Sequence, residues 1–364
     1  MYDQQLTVFQ KAMMSILCIG IAFISYSQNT EVFDYVRNTS KEELRSSDLP
    51  EIEILLVGTF HFKTKLSVPD VESQIKNFNP DMLFVEEVPA DEHQRFRSDL
   101  AKQRKSARNL YDEAIDSAIR FTGLSREEAF RTIEQLTLRK KLTYQERASL
   151  VNSLIITNNE TNAFLHFYSA QKSMNEVEFQ KFRSLLTPMH LNRTYCSGET
   201  KFLTIPIAIS LHLKHISLMD FQKDRILNDS LLAITQKKLI PRQIWKIWQL
   251  PYFLKMMKLN KGPKDDSDAI RHFRILNKWK TIINMARLNE KLMNKRSVPE
   301  SIHWNAIYRK RNEMMIKRVH DQSLRAHAKK IAIVVGASHV PYHIYEIKKQ
   351  FKNASIELLN VKKL

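Results

Sequence analysis

Residues 52–62 read IEILLVGTFHF. From Ile52 to Val57 the run is branched and aliphatic, interrupted only by Glu53. It is too short for a helix and lacks the polar alternation of a half-exposed strand. It therefore reads as a strand buried on both faces, as strands of a parallel sheet are. The run closes on Gly58, and His61 follows three residues later. Residues 331–340, IAIVVGASHV, repeat the pattern with Gly336 and His339. The chain has 6 glycines and 12 histidines in 364 residues, so chance would give about 0.2 Gly-x-x-His matches. Both observed matches end an apolar run. The spacing predicts that each glycine takes a positive φ and turns the chain off the sheet. That turn would bring each histidine back over its strand end.

Other segments extend this frame. VPDVESQIKNF (68–78) predicts a short helix with Asp70 near its start, and MLFVE (82–86) a second strand. Strand, helix and strand in so short a span form a βαβ unit. HISLMD predicts a third strand over 215–219 that ends at Asp220. IAIVV (331–335) is the fourth, VPYHIYEIKKQF a helix, and SIELLNV the last strand. Residues 92–200 and 221–328 carry apolar residues at helical spacing. The expected fold class is α/β: a mostly parallel sheet flanked by helices, with large helical insertions forming a cap. A single domain over 51–364 is expected, preceded by a polar linker at 28–50.

The N-terminal residues suggest export. A lysine, an apolar run from Ala12 to Ile24 and the small residues before Gln28 follow the order of a secretory signal over 1–27, cleaved after Ser27. The run is short for a membrane span, which needs about 20 residues, although an uncleaved signal would anchor the chain. The expected location is periplasmic or secreted. Removal of the signal leaves Cys196 as the lone cysteine, so no internal disulfide is expected. Lysine and arginine exceed aspartate and glutamate by 18. That excess suits an anionic surface such as a lipid membrane. With no zinc-finger cysteines or RNA-recognition signature, nucleic acid is not an expected partner.

In a parallel sheet, binding groups gather beyond the carboxyl ends of the strands. His61, Glu86, Glu87, Asp220 and His339 all fall there. Strand alternation sends Glu86 and Glu87 to opposite faces, so only one can lead. His343 reads as a surface residue, and Tyr168 and His166 in HFYSAQK as a packed helix face. Ser338 precedes His339, but no Gly-x-Ser-x-Gly elbow accompanies it.

The segments GTFH, FVEE and GASH together resemble the superfamily that joins the TraB/PrgY/GumN proteins, the Tiki proteases, the ChaN haem-binding proteins and the erythromycin esterases. Its mark is two Gly-x-x-His motifs, a glutamate after the second strand and an arginine on a later helix. In YRKRNEMM (308–315), Arg311-Asn312 matches that arginine segment best and Arg309 less well. SGETKF and ISLMD are like a bacterial branch of unknown function. The resemblance covers roughly 51–345. Asp220 stands where the Tiki and TraB pattern tends to carry glutamate.

The resemblance to Tiki proteins implies metal-dependent hydrolysis of a peptide. His61, Glu86, His339 and Asp220 would hold a divalent transition metal (manganese, cobalt or zinc), whose bound water attacks a carbonyl. The resemblance to erythromycin esterases implies a route with no metal, in which His61 is a general base oriented by Glu86 or Glu87. Arg311 would hold a substrate carboxylate or an oxyanion. The substrate expected on either route is a peptide or a small-molecule ester or amide. The resemblance to ChaN implies haem binding as an alternative. A third reading is an interaction protein with a basic surface and a vestigial pocket.

Overall fold

The computed structural model describes residues 30–45, 50–60, 66–89, 92, 109–187, 198–224, 227, 230–231, 234, 259, 262–292 and 299–361. Five strands form one sheet: β1 (Ile52–Thr59), β2 (Met82–Val85), β3 (Ser217–Leu218), β4 (Lys330–Gly336) and β5 (Ala354–Leu358). All neighbours are parallel, in the order β3-β2-β4-β1-β5. The fold is α/β with a parallel sheet flanked by helices, as the apolar runs predict. The two strands that carry the Gly-x-x-His motifs are direct neighbours, with Thr59 opposite Gly336. β4 lies between β1 and β2. The early βαβ unit therefore leaves a slot that is filled almost 250 residues later in the chain.

The strands alternate cleanly between two cores. Ile52, Ile54 and Leu56 face one side together with Phe84, Ile331, Ile333 and Val335. Leu55 and Val57 face the other with Leu83, Val85, Ala332 and Val334. This is the period-2 geometry of a pleated strand with both faces covered. The first face is covered by α1 (Glu31–Asn38), α11 (Trp279–Ala286), α12 (Pro299–Ala326) and α13 (Val340–Gln350). The second is covered by α3 (Pro69–Phe78), α9 (Ile205–Ser210) and α10 (Asp266–Leu276). Each fully buried aliphatic side chain contributes about 1.5–3 kcal/mol, so the two faces supply most of the folding drive.

The first insertion builds a core of its own from α4 (Asn109–Thr122), α5 (Arg126–Thr137), α6 (Tyr144–Ile156), α7 (Glu160–Ser173) and α8 (Glu176–Ser184). Its helices start where the sequence supplies caps. Ser125 with Glu128 and Thr143 with Glu146 form reciprocal capping boxes. A π-helical turn, Thr200–Thr204, leads into α9. A second, Arg287–Leu292, follows α11.

Several expectations are corrected. Residues 28–50 are not a plain linker. Within them, α1 buries Val32 and Val36, four apart on one helical face, and α2 (Lys41–Arg45) buries Leu44, all in the first core. The third strand is two residues long, not five. Neither motif glycine has a positive φ; among the described glycines only Gly123 and Gly262 do. Gly58 is needed for close approach instead. A Cβ there would lie 3.0 Å from Val340 Cγ2 and 3.1 Å from Asn277 Oδ1. Asn277 grips that glycine, accepting from its N–H at 2.7 Å and donating to its carbonyl at 2.8 Å. No helix of the described residues is long and apolar enough to cross a membrane. The apolar run at 12–24 and the proposed cleavage site lie outside the described residues.

Candidate active site

The register sets the site. Val85 pairs with Val334 and Leu218, so Glu86 comes level with Val335. Its Oε2 accepts the Gly336 N–H at 2.8 Å. The chain then leaves β4 in a tight turn. Ala337 N–H donates to Thr59 O, His339 N–H to Gly336 O, and His339 stands at the N-terminus of α13. Asp220 follows β3 by two residues.

α12 crosses this carboxyl edge with Tyr308, Arg311, Asn312 and Met315 on one face, spaced i, i+3, i+4 and i+7. Arg311 joins all three strand ends. Its Nη2 donates to Glu86 Oε1 at 2.8 Å and its Nε to Asp220 Oδ1 at 2.7 Å. Its Nη1 lies 3.5 Å from His339 Nε2. His339 Nε2 is also 3.2 Å from Glu86 Oε1. On the far side of the ring, Nδ1 lies 2.8 Å from Asn312 Oδ1. The Asn312 amide nitrogen donates to Tyr308 O, leaving the oxygen to accept from Nδ1–H. Tyr308 stacks on the imidazole, with centroids 4.9 Å apart, and donates to Ser338 Oγ.

The charges set the protonation of the acid. Burial pushes the Glu86 carboxyl up, but His339, Arg311 and the Gly336 N–H outweigh it and hold the group well below its ordinary value. Burial opposes the Arg311 cation, yet Asp220 and Glu86 raise its pKa above the usual arginine value. Burial pushes the Tyr308 phenol up, so it stays neutral. Arg311 is the most open of the group, 22% exposed against 9% for Glu86 and 3% for Asp220. A ligand reaching this edge would meet the guanidinium first.

Of the residues expected here, Glu86, Asp220, Arg311 and His339 converge. His61 lies outside the described residues; Phe60, the residue before it, is described. Glu87 does not join the cluster. Strand alternation turns it to the opposite face, where it accepts from Thr161 of α7 and from Thr200 Oγ1 at 2.7 Å. It pins the insertion to the sheet. Arg309 turns away from the cluster and pairs with Glu31 of α1 at 2.9 Å. Tyr168 stacks on Phe164 and meets Phe167 edge-on within α7, a packed helix face as read from the sequence. His343 is not on the surface: it is wholly buried one turn after His339, and neither ring nitrogen has a partner among the described residues. Burial first, then His339, holds its pKa well below the ordinary imidazole value, so it is neutral.

Sequence reasoning missed two supports, Arg318 and His272, and named a third, Asn312, only as the neighbour of Arg311. Asn312 fixes the His339 ring, and Arg318, two turns after Arg311, donates to Asp220 O and Glu92. α10 places the His272 ring 5.0 Å from Phe60 at the exit of β1. The i, i+4 and i+7 spacing from Tyr308 and Arg311 was the available signal for Asn312 and Arg318. Nothing local marks His272.

The donor set does not suit a metal shared by Glu86, Asp220 and His339. The Arg311 guanidinium already fills the space between the two carboxylates and faces the imidazole. Among the described residues no three His, Cys, Asp or Glu side chains gather as a metal site. No protein-family model, curated protein or solved structure matches this chain.

Proposed function

We propose that the protein is a hydrolase of an ester or amide, working without a metal, with its site on the carboxyl edge of β1, β2 and β4. The observation that carries this reading is the Glu86 carboxylate at the end of β2, held ionised by His339, Arg311 and the Gly336 N–H of β4, the strand that separates it from β1, which precedes His61 in the sequence. His339 has both nitrogens engaged, so it positions Glu86 rather than accepting a proton. Glu86, with its lowered pKa, is a weak base. His61 is the remaining candidate. Water would attack the substrate carbonyl as its proton passes to the His61 imidazole. The tetrahedral adduct would then collapse, breaking the C–O or C–N bond as that proton moves to the leaving alcohol or amine. Arg311 is the most open cation at this edge, where it would meet a substrate carboxylate. Its charge is already offset by two carboxylates, which argues against a main role in stabilising an oxyanion.

One observation favours a second reading. Glu86 and His339 are satisfied within the cluster, as a structural staple between α12 and the sheet would be. Turnover separates the two. The purified full chain is screened against p-nitrophenyl esters and fluorogenic peptide amides, with and without a chelator. The hydrolase reading expects turnover that the chelator leaves unchanged and that falls at least about 100-fold in His61→Ala. Turnover that survives His61→Ala, or that a chelator abolishes and zinc or manganese restores, overturns this mechanism. No turnover across the panel supports the staple.

A further inference from the structure

A cleft of about 630 Å³ opens between the C-terminal end of α5, the following loop, α6, α7 and the segment ahead of β3. Its volume is that of a small-molecule site. Lys214 precedes β3 and Asp220 follows it, so the cleft lies at the opposite end of that strand from the Arg311 cluster. Lys140, Lys141, Arg147, Lys172 and Lys214 line it along with Arg139, and among the described residues no aspartate or glutamate does. Arg139 is neutralised by Glu146, which also caps α6, and Lys214 Nζ donates to the Arg139 carbonyl at 3.2 Å.

Arg147 is the telling residue. Its Nε is buried and unpartnered among the described residues, and burial lowers its pKa. A half-buried arginine with no carboxylate partner among the described residues costs stability unless something else supplies the negative charge. Beside it, His166 is pushed down to about 4, by burial first and then by the Arg147 charge. It is therefore a neutral imidazole, held by a hydrogen bond to the Lys214 backbone. The remaining wall is apolar, with Leu142, Leu150, Leu165 and Leu213.

We propose that this cleft binds an amphiphile with a phosphate monoester head: the phosphate on Arg147 and the surrounding lysines, the apolar body along the leucine wall. Among the described residues Arg147 and the lysines of the cleft have no acidic partner, which favours a dianion over a carboxylate, and arginine meets phosphate through two parallel hydrogen bonds. The site shares no residue with the Arg311 cluster and does not depend on the hydrolase reading.

Calorimetric titration of the full chain with dihexanoyl phosphatidic acid, kept below its micelle concentration, tests this. One molecule is expected to bind per chain, at least about tenfold more weakly in Arg147→Met. The melting temperature of that variant should hold or rise, because an unpaired cation has left a half-apolar site. Arg147→Lys should keep part of the affinity. Inorganic phosphate is expected to bind far more weakly. Flotation with phosphatidylcholine vesicles carrying phosphatidic acid identifies the source. Recruitment that Arg147→Met abolishes points to a bilayer lipid, and binding of the short-chain molecule alone points to a soluble amphiphile. No saturable binding, unchanged binding in Arg147→Met, or equal binding of inorganic phosphate overturns the proposal.

Discussion

Glu86 and Glu87 are chemically identical and adjacent, yet they have different partners. Glu86 meets Arg311, His339 and Gly336; Glu87 meets Thr161 and Thr200. The pleat alone makes the difference. Because the folded pKa of Glu86 lies well below its ordinary value of 4.5, its contribution to stability is present above that value and is lost as pH falls through the folded pKa. Glu86→Gln leaves Arg311 with one carboxylate, so a loss of about 3 kcal/mol is expected at pH 7. The gap from the wild-type protein should narrow as the solution is acidified below about pH 4. Urea unfolding at several pH values measures it. A gap of constant size would show that the charge of Glu86 contributes little.

At the scale of elements, the docking of α1 depends on a buried acid. Glu290, in the π-helical turn after α11, accepts the Phe33 N–H at 2.8 Å in the first turn of α1. Its other oxygen has no hydrogen-bond partner among the described residues. Burial pushes its pKa up to about 7; the Phe33 N–H and Arg309 oppose that rise, while Glu31 and Asp34 add to it. The sign is the reverse of that for Glu86. Between the unfolded pKa near 4.5 and the folded value near 7, the native state keeps a proton that the unfolded chain has lost. Stability therefore falls as pH rises through that window, by roughly 3 kcal/mol in all. Glu290→Gln keeps an acceptor for Phe33 and removes the charge. Its unfolding midpoint should exceed that of the wild type at pH 8 and match it near pH 5. The same difference at both values would sink this account.

Over the whole molecule, cores of unequal depth predict unequal exchange. The amides of 54–57 and 331–335 lie in neighbouring central strands covered on both faces. α5 buries only Ala129 and Leu136, in the separate core of the insertion. Native-state hydrogen exchange should find the two strands opening only with global unfolding and α5 opening at lower free energy. Uniform protection across both regions would instead mark a single cooperative unit.

The sheet was largely legible in the sequence. Runs such as IEILLV and IAIVV carry their own evidence, because a strand buried on both faces needs a continuous apolar stretch. The gathering of Glu86, Asp220 and His339 also followed, since residues after parallel strands share one edge. Three features depended on the folded chain. Only the strand order put β4 between β1 and β2 and so made the two motif strands neighbours. Only close packing explained Gly58: the constraint is the approach of Val340 and Asn277, remote in sequence, and not its own φ. Only the path of α12 placed Arg311 between two carboxylates, where the resemblance to Tiki proteins implied a metal. Local pattern determines which segments are strands and which residues end them. Which charge meets which is decided by contacts between segments more than 90 residues apart, and no local pattern records them.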